Sequence, residues 1–243
     1  MPIQTHAEAG ARSPAPRSDR PGAVCGAIGI VGNVLGVAFL FDVPGAYRVG
    51  SLDAWAGGTA AHPAASVASA VAFTIGLVAL AGWADALAGR VRSPLMRRGA
   101  ALMAIGALFN AAGTLAPAVL ALHVAPACAG EACLPVARAL LGLTLSLDAL
   151  FNLLFGAGLV AAAAALSRAE RRPLLGLLGV AAGAATLPVS LQFALDAASS
   201  LLAVAGPLWL AFVAATSVLL WRRTPQDLAR VSGGPREAVA RAG

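Results

Sequence analysis

The stretch GAIGIVGNVLG, residues 26–36, decides the fold. It sets four glycines and one asparagine among otherwise aliphatic residues. In water, glycine is the poorest ordinary helix former after proline, and an amide is costly to bury. In hydrocarbon the balance changes, because backbone groups have no water to turn to and the helix is enforced. The glycines are also in register. Gly22, Gly26, Gly29, Asn33 and Gly36 fall at alternating spacings of four and three, which puts them on one helix face. A smooth strip of this kind lets a second backbone approach closely, as membrane helices do when they pack. Gly32 and Gly36 add a G-x-x-x-G pair to the same segment.

The rest of the chain supports that solvent. Of 243 residues, 59% are hydrophobic and 12% charged, with a mean hydropathy of +0.80. A soluble domain carries roughly 25% charged residues. A bilayer is therefore the expected partner, and the expected fold class is all-α, a polytopic membrane protein. Six apolar runs are each about the length needed to cross it: 22–41, 65–88, 99–123, 137–166, 173–194 and 200–221. The fourth is longer than one bilayer thickness and is expected to tilt or project. Prolines 117, 188 and 207 can open their helices locally.

All seventeen basic residues are arginines, and fifteen of them lie in the two tails, the 89–98 link and the 167–172 link. Only Arg48 and Arg138 fall on the other side, Arg138 at the start of the fourth run. The positive-inside rule then places both termini in the cytoplasm of a cell with an inner membrane. The net charge of +6 does not point to nucleic acid, because the arginines are short clusters between apolar runs, without a basic helix or interleaved aromatics. Residues 1–21 and 224–243 are polar, proline- or glycine-bearing and aperiodic, and read as flexible cytoplasmic tails. The first apolar run exceeds a signal-peptide core and five more follow, so it reads as an uncleaved anchor.

In the loops of the other side, Cys128 and Cys133 flank AGEA. An oxidising compartment would pair them, and two unpaired small residues are the alternative. His123 is their only nearby third ligand and no C-x-x-C occurs, so neither a metal nor a redox centre is expected. Cys25 reads as packing. Tyr47, Trp55, Trp83, Trp209 and Trp221 lie near span ends, where aromatic rings usually anchor at the headgroups. A short interfacial helix around SLDAWAG is possible.

Polar residues within the spans repeat a pattern. Gly29–Asn33–Gly36 recurs as Gly106–Asn110–Gly113, and ALFN occurs at 107–110 and 149–152, with Asp148 where the earlier copy has Gly106. Asn33, Asn110 and Asn152 fall roughly midway in spans one, three and four, and Asp148 shares a helix face with Asn152. These four residues are expected to form one polar cluster. An unpaired amide in hydrocarbon costs several kcal/mol, so pairing is close to obligatory. A carboxylate at mid-bilayer costs at least ~2.5–3.5 kcal/mol. The chain has no lysine, and Arg138 lies ten residues along the same helix. The neutral acid is the expected form of Asp148, donating to Asn33 or Asn110. Its use is either structural or a site for a proton, a cation or a polar ligand group. Enzymatic sets are missing: His6, His62 and His123 fall in tails or loops, and Ser146 has no base in reach. The expectation is a non-enzymatic protein without cofactor, packing on itself or a partner through its glycine faces. A small proton- or cation-linked carrier is the first alternative, and an intramembrane enzyme the second.

The segments LFGAGLVAAAAALSRAERRPLLGLLGVAAGAATLPVS and GPLWLAFVAATSVLLWRR resemble a family of uncharacterised bacterial integral-membrane proteins. The shared features are a basic turn ending R-P-x-x-x-G-x-x-G between two spans and a final span bearing tryptophan. The resemblance covers about residues 150–223; it implies a multi-span layout and assigns no site residue.

Overall fold

The computed structural model describes residues 19–127 and 130–222. Among them there is no strand, and six helices are long and apolar enough to cross a membrane: Arg20–Leu40, Pro63–Arg90, Pro94–Ala127, Leu134–Glu170, Pro173–Phe193 and Asp196–Trp221. They are called the first to sixth spans below. A shorter helix, Leu52–Ala61, lies between the first two.

Proline sets where most spans begin. Pro21, Pro63, Pro94, Pro135 and Pro173 each stand in a first helical turn. There the missing N–H has no intrahelical acceptor to lose and the ring presets φ. Ser93 adds a cap, its hydroxyl accepting from Met96 N–H at 3.0 Å. The fourth span ends at Arg171, whose left-handed backbone (φ 52°) turns the chain into Pro173 within two residues. The first span starts at Arg20, two residues earlier than its apolar run, because Pro21 opens it. The remainder of the expected tails, 1–18 and 223–243, lies outside the described residues.

Each span packs on its neighbours in sequence, and the sixth closes on the first, so the six form a ring. Its interior is filled by aromatic side chains. Trp83 meets Phe212 edge-on at 6.2 Å, Phe155 meets Trp209 at 5.7 Å, and Phe151 stacks at a tilt on Phe155 at 4.9 Å. The outer surface is apolar all round, with Val31, Ile75, Leu108, Leu153, Leu177 and Val204 exposed. Only hydrocarbon makes such a surface inexpensive. The chain is a multi-pass membrane protein.

Three tryptophans depart from the expected headgroup belt. Trp55, Trp83 and Trp209 are buried against other helices; a position near a span end sets depth, and packing decides which way a ring faces. Trp221 alone of the four is exposed, with the Arg20 guanidinium 5.4 Å from its ring centre.

The glycine faces are used within the chain. Gly22, Gly26, Gly29, Gly32 and Gly36 are buried. A Cβ on Gly22 would strike Ala86, one on Gly26 would strike Ser217, and one on Gly32 would lie 2.6 Å from Gly76 Cα. Gly106 and Gly113 face the fourth span, at Leu154 and Leu147. Two closer approaches carry that span between its neighbours. A Cβ on Gly158 would come within 2.6 Å of Gly99 O, and one on Gly183 within 2.6 Å of Gly156 O.

Ion pairs tie the two ends. At the arginine end, the nearly buried Arg90 reaches Asp19 at 3.2 Å and Glu170 at 3.1 Å, joining the starts and ends of three spans. At the opposite end, the fourth span overshoots. Its 37 residues cover about 55 Å at 1.5 Å per residue, against a core of about 30 Å. The surplus turns, Ala137 to Leu145, pack against Val43, Trp55, Ala56 and Leu120. Helix Leu52–Ala61 thus covers them, with the Asp53 carboxylate accepting from Arg138 Nε and Nη2, each at 2.7 Å. That exposed pair holds the Asp53 carboxyl below the usual range. Gly50 N–H donates to Asp196 Oδ1 at 2.9 Å. Of the expected cysteine pair, Cys128 lies outside the described residues.

Candidate intramembrane polar site

Three spans bring amides to Asp148. Asn110 comes from the middle of the third span, Asp148 and Asn152 from successive turns of the fourth, and Gln192 from the fifth. The fifth span continues past Thr186 as a tighter helix over Leu187–Phe193, where Pro188 cannot donate a backbone bond. With three residues per turn, positions three apart eclipse, so Thr186, Val189 and Gln192 all face inward and are buried. An α-helical pitch would rotate Gln192 away from that face by about 120°.

Asp148 Oδ1 accepts from Asn110 Nδ2 at 2.6 Å. Oδ2 accepts from Asn152 Nδ2 at 3.0 Å and from Gln192 Nε2. Asn152 Nδ2 also donates to the Asp148 carbonyl at 2.8 Å, which settles which way that amide points. All four side chains are buried, Asp148 the least at 9% exposure. No ion pair reaches Asp148 among the described residues. The cluster has one unfilled acceptor: Asn110 Oδ1 is buried without a hydrogen-bond partner among the described residues.

Asn33 does not join. Its Nδ2 donates to Gly29 O, one turn back on its own helix, at 2.8 Å. The reason is the ring: the first span packs on the second and sixth, away from the third and fourth. As placed, three amide nitrogens face the Asp148 carboxyl group. Ser146 points elsewhere, its exposed hydroxyl bonded to Gly142 O at 2.9 Å. His62 and His123 are exposed at the loop end. No group of three His, Cys, Asp or Glu side chains comes together among the described residues.

From Asp148 toward helix Leu52–Ala61, the neighbouring turns stay polar. Thr144 donates to Gly113 O at 3.1 Å, and Thr114 meets Thr74 at 3.1 Å. Beyond them the 42–51 loop turns inward through two left-handed residues, Gly45 (φ 74°) and Tyr47 (φ 58°). A non-glycine residue is strained there, and packing holds it. Tyr47 sits at 5.0 Å from Trp55 and 6.3 Å from Phe73 between ring centres. Burial, with Asp148 as the charged group acting on it, keeps the Tyr47 phenol above its ordinary range. Gln192 and Tyr47 were not legible as site residues; an amide two residues before a span's end was the one signal for Gln192.

Compared with protein families, curated proteins and solved structures, the chain matches none.

Proposed function

We propose that this chain is a non-enzymatic inner-membrane protein, a small proton-linked carrier in which Asp148 couples one proton to the packing of the third, fourth and fifth spans. One observation supports this above the rest. A buried carboxylate with no cationic partner among the described residues is held by amide N–H donors from three separate spans. The donor set favours a proton over a metal cation, which would meet the positive ends of three N–H dipoles instead of oxygens. Protonation turns one oxygen from acceptor to donor. That oxygen then accepts from its amide N–H more weakly and has a proton of its own to place, which favours an amide turning over or a span shifting. The free Asn110 Oδ1 is an acceptor ready for such a turned arrangement.

Difference infrared spectra of the purified protein between acidic and alkaline buffer test this. A protonated-carboxyl stretch should grow on acidification and be lost in Asp148→Asn, with the fold intact by thermal unfolding. A spectrum unchanged by Asp148→Asn at every pH the fold survives would reject the reading.

Both termini are assigned to the cytoplasm on the arginine distribution alone. Cys128 and Cys133 then face the oxidising side and form a disulfide. Alkylation of denatured, unreduced protein should label Cys25 alone; three labels would reject both the bond and the side. Kinship of residues 150–223 with the uncharacterised bacterial family is proposed on its motif only.

A further inference from the structure

A small, partly open cavity lies between the inward-turned loop and the second and third spans, lined by Tyr47, Trp55, Ser66, Ser69, Ala70 and Thr114 among others. Its volume, about 10 Å³, is that of a single water centre. Two of its lining groups, Trp55 Nε1 and Ser66 Oγ, are buried and have no hydrogen-bond partner among the described residues. Their side chains are 0% and 2% exposed. A buried indole N–H is a donor only, and a hydroxyl can give or take. Between them they offer what a buried water requires, two or more polar partners in a space of its own size. The other polar liners are engaged or adaptable: Ser69 donates to Gly36 O at 2.9 Å, and Thr114 donates to Ala111 O at 2.9 Å, leaving lone pairs on both hydroxyls.

The cavity's place in the fold gives the water a use. Thr114 is one helical turn, about 6 Å, from Asn110 on the same span. Asn110 carries the unpartnered Oδ1 and donates to Asp148. On the arginine side, Phe151, Phe155, Trp209 and Phe212 pack the ring interior. We infer that this cavity is a water site, and that protons reach Asp148 through it from the end covered by helix Leu52–Ala61. This rests on the reading of Asp148 as a protonation site. The step balances simply: a hydronium at the site gives its proton toward the carboxylate, leaving neutral water and a carboxyl group, and release reverses it. The groups facing Asp148 are Asn110 from the third span, Asn152 from its own, Gln192 from the fifth and Tyr47 from the loop; Tyr47 is the titratable one.

The test follows hydrogen–deuterium exchange of the Asp148 carboxyl by infrared in the full-length protein in lipid vesicles. Ser66→Ala removes one partner of the water, and Ala70→Val fills its space. Each should slow the exchange roughly tenfold, equivalent to ~1.4 kcal/mol on the barrier. Ser146→Ala, which removes a lipid-facing hydroxyl, should leave it unchanged. Wild-type exchange rates in both cavity variants would overturn the water route while leaving Asp148 as a protonation site. No Asp148-dependent carboxyl band at all would remove both proposals together. Should either variant fail to fold, radiolytic hydroxyl labelling of the unaltered protein decides instead. Oxidation of Trp55 well above that of the equally buried Trp83 supports a resident water, and equal protection of the two overturns it.

Discussion

Gly158→Val should yield little folded protein in detergent, while Gly142→Val on the same helix should behave as the parent. Both changes bring the same β-branched side chain and the same shift in helix propensity, so their difference isolates packing. A Cβ at 158 would lie 2.6 Å from Gly99 O and 3.0 Å from Met103 N. Met103 Cγ, also at 2.6 Å, can swing aside, but the two backbone atoms cannot. At Gly142 a Cβ meets nothing within 4 Å. Overpacking of a well-filled interior costs typically about 1–3 kcal/mol where side chains can adjust. Here the third and fourth spans must separate, and the Asn110–Asp148 bond between the same two helices is stretched with them. The loss should therefore reach the upper end of that range or pass it. Thermal unfolding followed by size-exclusion chromatography reads it. Equal losses at 142 and 158 would show that the helix backbone, not the close approach of two spans, is what glycine serves.

What could be read from the sequence was depth; what could not was direction. Apolar runs bounded by arginine and proline locate each span along the chain to within a few residues, since water and lipid sort residues by polarity. The face a residue presents is set by which helices are neighbours, and a single chain does not state its ring order. Asn33 shows the consequence. It lies at the depth of Asn110 and Asn152, yet the first span turns it against the second, where it bonds its own helix. Trp55, Trp83 and Trp209 repeat the lesson at the span ends, buried inward at depths where rings usually face headgroups. Gln192 was hidden by pitch: its alignment with Thr186 exists only because the helix tightens from Leu187 onward. Asp148 was legible because its cost is independent of direction. A carboxylate in hydrocarbon must find donors on whatever face it occupies. Its identity as the hub could be argued from sequence, and its partners had to be seen.

Asp148→Ala should be the most damaging polar change in the chain, and adding Gln192→Leu to it should restore part of the loss. Truncating the carboxylate strips the acceptor from Asn110 Nδ2 and from Gln192 Nε2; Asn152 Nδ2 keeps the Asp148 carbonyl at 2.8 Å. Each buried donor left without a partner costs about 1–3 kcal/mol, so two of them outweigh any relief from burying an unpaired acid. Asp148→Asn should be milder. It keeps the shape and one acceptor oxygen, and a half-turn of the Gln192 amide brings its own oxygen to the new N–H₂ group without a change of volume. Alanine offers no such repair. In the double variant the Gln192 donor is gone as well, and apolar groups facing each other are close to neutral where a lone donor is not. Unfolding midpoints of the two single variants and the double form a cycle whose coupling should be favourable. Strictly additive losses would mean that Gln192 does not pair with Asp148, and the three-span hub would reduce to a contact between the third and fourth spans alone.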